Sequence, residues 1–137
     1  MKVRKIPAGD IIACGESLGG SVAAYLASTN KVGALILDSS FTSVREMAAS
    51  LVPVLAGLTQ AGLDTGAALK SVTAPVLILH SPTDEVVPYE QARKNYAAAR
   101  APKRFVKLNG GHNDGFVVSG KIYTDGIRRF LDSHFPS

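Results

Sequence analysis

The chain has 137 residues, of which 46% are apolar and 19% charged. That is enough for one domain with a real core, and the composition is not that of a disordered segment. Its 15 lysines and arginines against 11 carboxylates give a net charge of +4, scattered apart from short clusters at Lys2-Arg4-Lys5, Lys103-Arg104 and Arg128-Arg129. With no basic stripe interleaved with aromatics, nucleic acid is not an expected partner. One cysteine, Cys14, excludes an intrachain disulfide and a Cys-cluster metal site. No apolar run reaches membrane-spanning length, and the charged start lacks an apolar h-region, so the expectation is a soluble, cytoplasmic protein with no membrane partner.

In chain order, residues 1–9 read as a lead-in to a single domain over residues 10–137. Residues 11–14 form a first strand, with Cys14 expected as a small core residue. A helix follows Ser17, with Leu18, Val22 and Leu26 spaced as a core-facing stripe. Residues 34–37 are an uninterrupted apolar run, the pattern of a strand covered on both faces. Ser43-x-x-Glu46 makes a capping box that opens a helix to about residue 51. Residues 52–71, interrupted by Pro53, Gly57, Gly62 and Gly66, are expected as helical pieces near the serine. A third strand spans residues 76–80, a helix enters through Pro88, and residues 104–108 alternate as a half-exposed strand near a sheet edge. In the last helix Ile122, Tyr123, Ile127, Phe130, Leu131 and His134 share one face. Alternation of strand and helix predicts an α/β fold: a parallel sheet of about four strands with right-handed crossover helices.

The stretch that carries chemistry is Gly15-Glu16-Ser17-Leu18-Gly19. It fits G-x-S-x-G in the context that motif requires, after a strand and before a helix. A serine on so sharp a turn needs small neighbours, and the turn lifts its hydroxyl above the sheet towards the first helical N–H groups. Ser17 is the candidate nucleophile. Its hydroxyl needs a base, and the base needs an acid to fix its tautomer. His112, in Gly110-Gly111-His112-Asn113-Asp114-Gly115, follows the fourth strand at the carboxyl edge, where active residues of such sheets collect. His80 ends the third strand and is expected to shape the turn after it; His134 lies on the final helix. For the acid, Asp84 sits in the turn Ser81-Pro82-Thr83-Asp84-Glu85. Asp38 and Asp114 compete with it, and Glu85 is expected to point elsewhere.

These pieces together resemble the C-terminal half of an α/β-hydrolase of the serine esterase and peptidase type, close to the Bem46-like group. The matching stretches are the elbow through Gly20, Leu37-Asp38-Ser39-Ser40-Phe41-Thr42-Ser43, the run from Pro75 to Pro88, and Gly110-Gly111-His112-Asn113-Asp114. Ser81 stands where that family usually has glycine. The order Ser17, Asp84, His112 is the order such hydrolases use.

The resemblance implies a carboxylesterase-type serine hydrolase without cofactor or metal, with the Leu18 N–H in the oxyanion hole. In the family, further strands and the second oxyanion donor precede the elbow, and only nine residues precede Asp10 here. The expectation is an impaired oxyanion hole unless Gly19, Gly20 or another chain supplies a donor. Small ester substrates with good leaving groups and short acyl chains then follow. The uncharged strand at residues 11–14 would lie at a bare sheet edge, so a homodimer paired through that edge is expected to complete the sheet. The alternative is a catalytically weak or inactive half-domain that binds, assembles or awaits a partner.

Overall fold

The computed structural model describes residues 5–48, 62–100 and 102–135. Four parallel strands, β1 (Ile12–Glu16), β2 (Ala34–Asp38), β3 (Val76–His80) and β4 (Lys103–Lys107), form one sheet in the order β1-β2-β3-β4. The two central strands are buried along their whole length, and each edge strand is partly exposed. Continuous apolar runs in the middle and alternation at the β4 rim are what two-sided and one-sided burial demand.

Helices cover the two faces unequally. On one side lie α1 (Leu18–Thr29), α3 (Thr65–Leu69) and α4 (Tyr89–Ala98), packed through Ala23, Ala24, Leu69 and Ala92 onto Leu35, Leu37, Val76 and Ile78. On the other side α6 (Lys121–His134) lays Tyr123, Ile127, Phe130 and Leu131 over Ile36, Leu77, Leu79 and Val106. A third cluster at the carboxyl ends joins Leu18, Phe41, Val87 and residues Val44 and Met47 of α2 (Val44–Ala48). Among the described residues no helix is long and apolar enough to cross a membrane.

Several expectations need correction. The stripe on α1 is reversed beyond its first turn: Leu18 packs inward, but Val22 and Leu26 are 44% and 49% exposed, while Gly20, Ser21, Ala23, Ala24 and Ala27 face the core. The reason is distance. A Cβ on Gly20 would run into the Ser40 side chain, and Ser21 Oγ hydrogen-bonds Thr65 Oγ1 at 2.7 Å, so α1 lies too close to the sheet and to α3 for large side chains. Cys14 is exposed rather than buried, on an edge strand whose outer side pairs with no described strand. Partial desolvation, then the Asp38 and Glu16 carboxylates, push its thiol pKa up.

The expected helical pieces near the serine divide in two. Residues 49–61 lie outside those described, whereas α3 packs beside α1 and α4 within the core. A short helix not foreseen, α5 (Gly115–Ser119), follows the histidine loop. Ile122 is largely exposed, so the last helix packs on a narrower face than its apolar pattern suggests. Pro88 caps α4 from just outside instead of opening it. The Ser43 half of the capping box forms, with the Glu46 N–H donating to Ser43 Oγ at 3.1 Å.

Candidate active site

Ser17 sits between β1 and α1 with φ 50° and ψ −119°, a positive φ in a residue that is not glycine. Such a conformation persists only where its surroundings enforce it. Two glycines allow the turn to close: a Cβ on Gly15 would strike the backbone of Gly19, and one on Gly20 would strike Ser40. Gly19 itself has open space where its Cβ would lie. Of the two glycines in the motif, only Gly15 is sterically required, and the second obligatory one is Gly20. The Ser17 N–H donates to the Asp38 carbonyl at 2.9 Å, which locks the turn to β2. The Leu18 N–H opens the helix, where the first amides have no carbonyl partner within it.

β4 leads to the loop that carries His112, and β3 to the turn that carries Asp84. His112 Nε2 lies 3.1 Å from Ser17 Oγ, and its Nδ1 lies 2.8 Å from Asp84 Oδ2. A carboxylate only accepts, so Nδ1 carries the proton and Nε2 presents its lone pair to the serine. Asp84 is held in turn: its Oδ1 accepts from the Val86 and Val87 N–H groups at 2.9 and 2.7 Å. Both His112 and Asp84 are buried. Three residues from three strand ends are therefore joined in one hydrogen-bonded chain.

The competing residues go elsewhere. Asp38 accepts from Tyr123 Oη at 2.9 Å and from Ser39 Oγ at 2.9 Å, and so ties β2 to α6. Burial, then this carboxylate, raise the Tyr123 phenol pKa far above its ordinary value. Asp114 Oδ1 accepts the Gly111 N–H at 2.6 Å. His134 packs against the Phe130 ring. His80 is fully buried, and its Nε2 donates to the Val87 carbonyl at 2.9 Å, with Asp84 Oδ2 3.5 Å away. It shapes the turn, as expected. Burial lowers its pKa against the opposing pull of Val87 and Asp84.

Glu85 does not point away. Its Oε2 accepts the backbone N–H of His112 at 3.0 Å. Ser81 Oγ and Thr83 Oγ1 both donate to the Gly110 carbonyl, the latter at 2.8 Å. None of these contacts is legible in the sequence. The nearest signal was Ser81, whose hydroxyl replaces the family's glycine.

No protein-family model matches the chain. Among curated proteins it is 42% identical over 121 residues to the uncharacterized protein Rv2307c of Mycobacterium tuberculosis, covering 85% of this chain and 43% of that protein. It is 34% identical over 147 residues to the alpha/beta hydrolase domain-containing protein WAV2 of Arabidopsis thaliana, covering 92% and 48%. The chain thus spans a little under half the length of these relatives. Among solved structures, the esterase domain of a Rhodothermus marinus protein superposes with a TM-score of 0.70 at 25% identity, over 90% of this chain and 60% of that one. A Pyrococcus furiosus esterase gives a TM-score of 0.73 at 15% identity over 92% and 54%, a likeness of fold. An all-parallel sheet, a strained serine between strand and helix, and these relatives lead to one conclusion: the chain carries part of an α/β-hydrolase fold.

Proposed function

We propose that this chain is a serine hydrolase, acting on small carboxylic esters with short acyl groups. The observation that carries the reading is the continuous hydrogen-bonded chain from Ser17 Oγ through the His112 imidazole to Asp84. Ser17 Oγ attacks the ester carbonyl while its proton passes to His112 Nε2, and Asp84 stabilises the imidazolium. The oxyanion of the tetrahedral intermediate accepts from the Leu18 N–H. Collapse breaks the bond to the alcohol, which takes the proton from His112 Nε2. Water then attacks the acyl-enzyme with His112 as base, and its proton returns to Ser17 as the acid leaves. The scheme uses no cofactor.

Removing one oxyanion donor from such a site costs about 3 kcal/mol, or a hundred-fold to a thousand-fold in rate. Activated esters, whose leaving groups depart readily, are the class proposed over amides. The test is intact mass after incubation with a fluorophosphonate, for wild type beside Ser17→Ala. Stoichiometric labelling that vanishes in the variant is expected. A folded wild-type protein that takes up no label would overturn the reading.

A second reading, an assembly module, is favoured by one observation. The outer edge of β1 has no neighbour among the described residues, and Ile11, Ile12, Val22, Tyr25 and Leu26 are exposed around it. Both readings accommodate a homodimer paired through this edge, which we propose as the form in solution. Sedimentation velocity at micromolar concentration is expected to give a dimer that Ile12→Lys dissociates; a wild-type monomer removes the proposal.

A further inference from the structure

We propose that the turn between β3 and α4 is a clamp on the backbone of the loop bearing His112, and that Glu85 is its central positioning residue. This rests on the reading of Ser17 and His112 given above. His112 follows two glycines, Gly110 at φ 91° and Gly111, and glycine leaves a backbone freest to move. The bond from Asp84 fixes how the imidazole is rotated. By itself it does not fix where the loop places the ring, because a single bond at the tip of a glycine-rich loop lets the backbone behind it shift.

The turn supplies what is missing, residue by residue. Ser81 and Thr83 hold the Gly110 carbonyl, and Glu85 holds the His112 N–H at 3.0 Å. From the other side, Asp114 holds the Gly111 N–H at 2.6 Å. Three consecutive residues are thus pinned by their main chain, and the side chain of the third is pinned by Asp84. Glu85 differs from the others in acting on the histidine's own peptide; like Asp114 it does so through a charged acceptor, which makes a stronger bond than a neutral one. Its position also accounts for Gly111, since a Cβ there would lie 2.5 Å from Glu85 Oε2. The pair is complementary: a carboxylate on one side and a bare Cα on the other.

A nucleophile and base misplaced by about 1 Å lose on the order of a hundred-fold in rate. Glu85→Ala is therefore expected to lower kcat for p-nitrophenyl butyrate about ten- to a hundred-fold, with KM changed less than about two-fold. Glu85→Gln keeps an oxygen acceptor in place and is expected to recover most of the loss. Gly111→Ala, which pushes the carboxylate away, is expected to resemble Glu85→Ala. The double variant Glu85→Ala/Gly111→Ala is expected to exceed Glu85→Ala alone only by what the new Cβ does to Asp114 Oδ1, 3.3 Å from it, so the two losses are less than additive.

Long-range 1H–15N spectra of the histidine rings give a readout that needs no turnover. The deshielded Nδ1 proton of His112 is expected to be sharp in the wild type and in Glu85→Gln, and broadened or lost in Glu85→Ala. If kcat and that resonance are both unchanged in Glu85→Ala, the clamp is wrong even though the enzyme is active. If the wild type hydrolyses nothing yet the resonance responds to Glu85→Ala as stated, the clamp stands and the functional reading fails.

Discussion

The two outermost strands of the described sheet lead into Ser17 and His112, and the turns that follow are held by opposite means. β1 leads into Ser17, whose strained backbone is fixed by shape: Gly15 against the backbone of Gly19, and Gly20 against Ser40. β4 leads into His112, whose loop is fixed by hydrogen bonds from Ser81, Thr83, Glu85 and Asp114. Steric closure leaves little middle ground, because an added methyl group must displace backbone at Gly15 or the Ser40 side chain at Gly20. A set of bonds loosens one member at a time. The Ser17 turn should therefore fail abruptly, and the His112 loop by degrees.

The largest effect belongs to Asp84, where the two halves meet. Asp84→Asn removes the acceptor that sets the His112 tautomer and is expected to lower kcat about ten-thousand-fold, with near-UV circular dichroism unchanged. At the Ser17 turn, Gly15→Ala is expected to lose about 3 kcal/mol or more of stability in urea titration. Gly19→Ala is its control: with open space at its Cβ, it should be neutral or gain up to about 1 kcal/mol. If Gly15→Ala folds like wild type, the contrast between shape and bonding is broken. Tyr123→Phe leaves Asp38 without one donor and is expected to cost about 1–2 kcal/mol in the same titration.

The smallest effect is a slope. Burial holds the His80 pKa below that of a free histidine, so as pH falls below about 6.5 the unfolded chain binds a proton that the folded chain refuses. Stability is complete above that pH and declines below it, down to the lower folded pKa. Urea midpoints between pH 8 and 5 are expected to show this decline, and His80→Gln to reduce it.

Much of this was legible in the sequence, for physical reasons that differ by element. Residues 34–37 and 76–80 are apolar without interruption, and only a strand covered on both faces asks for that. The meeting of Ser17, Asp84 and His112 at one sheet edge was legible because each follows a strand and is flanked by turn formers. The facing of α1 was not, since periodicity reports where large apolar residues lie. This helix presents small ones to the sheet and turns Val22 and Leu26 outward. The Glu85 contact was hidden because it joins a side chain to a backbone N–H, and the identity of His112 carries no trace of what its amide does. The exposure of Cys14 goes with its place on an edge strand, which no local pattern encodes.

That exposed thiol has a practical consequence. Cys14 is the chain's single cysteine and lies on β1, at the edge that no described strand pairs with. A fluorophore or spin label attached there needs no background substitutions, and it would report occupancy of the edge by distance or by quenching. Because the pKa of the thiol is raised, conjugation calls for mildly alkaline buffer and patience. A reaction slowed further as protein concentration rises would itself measure how much of that edge is covered.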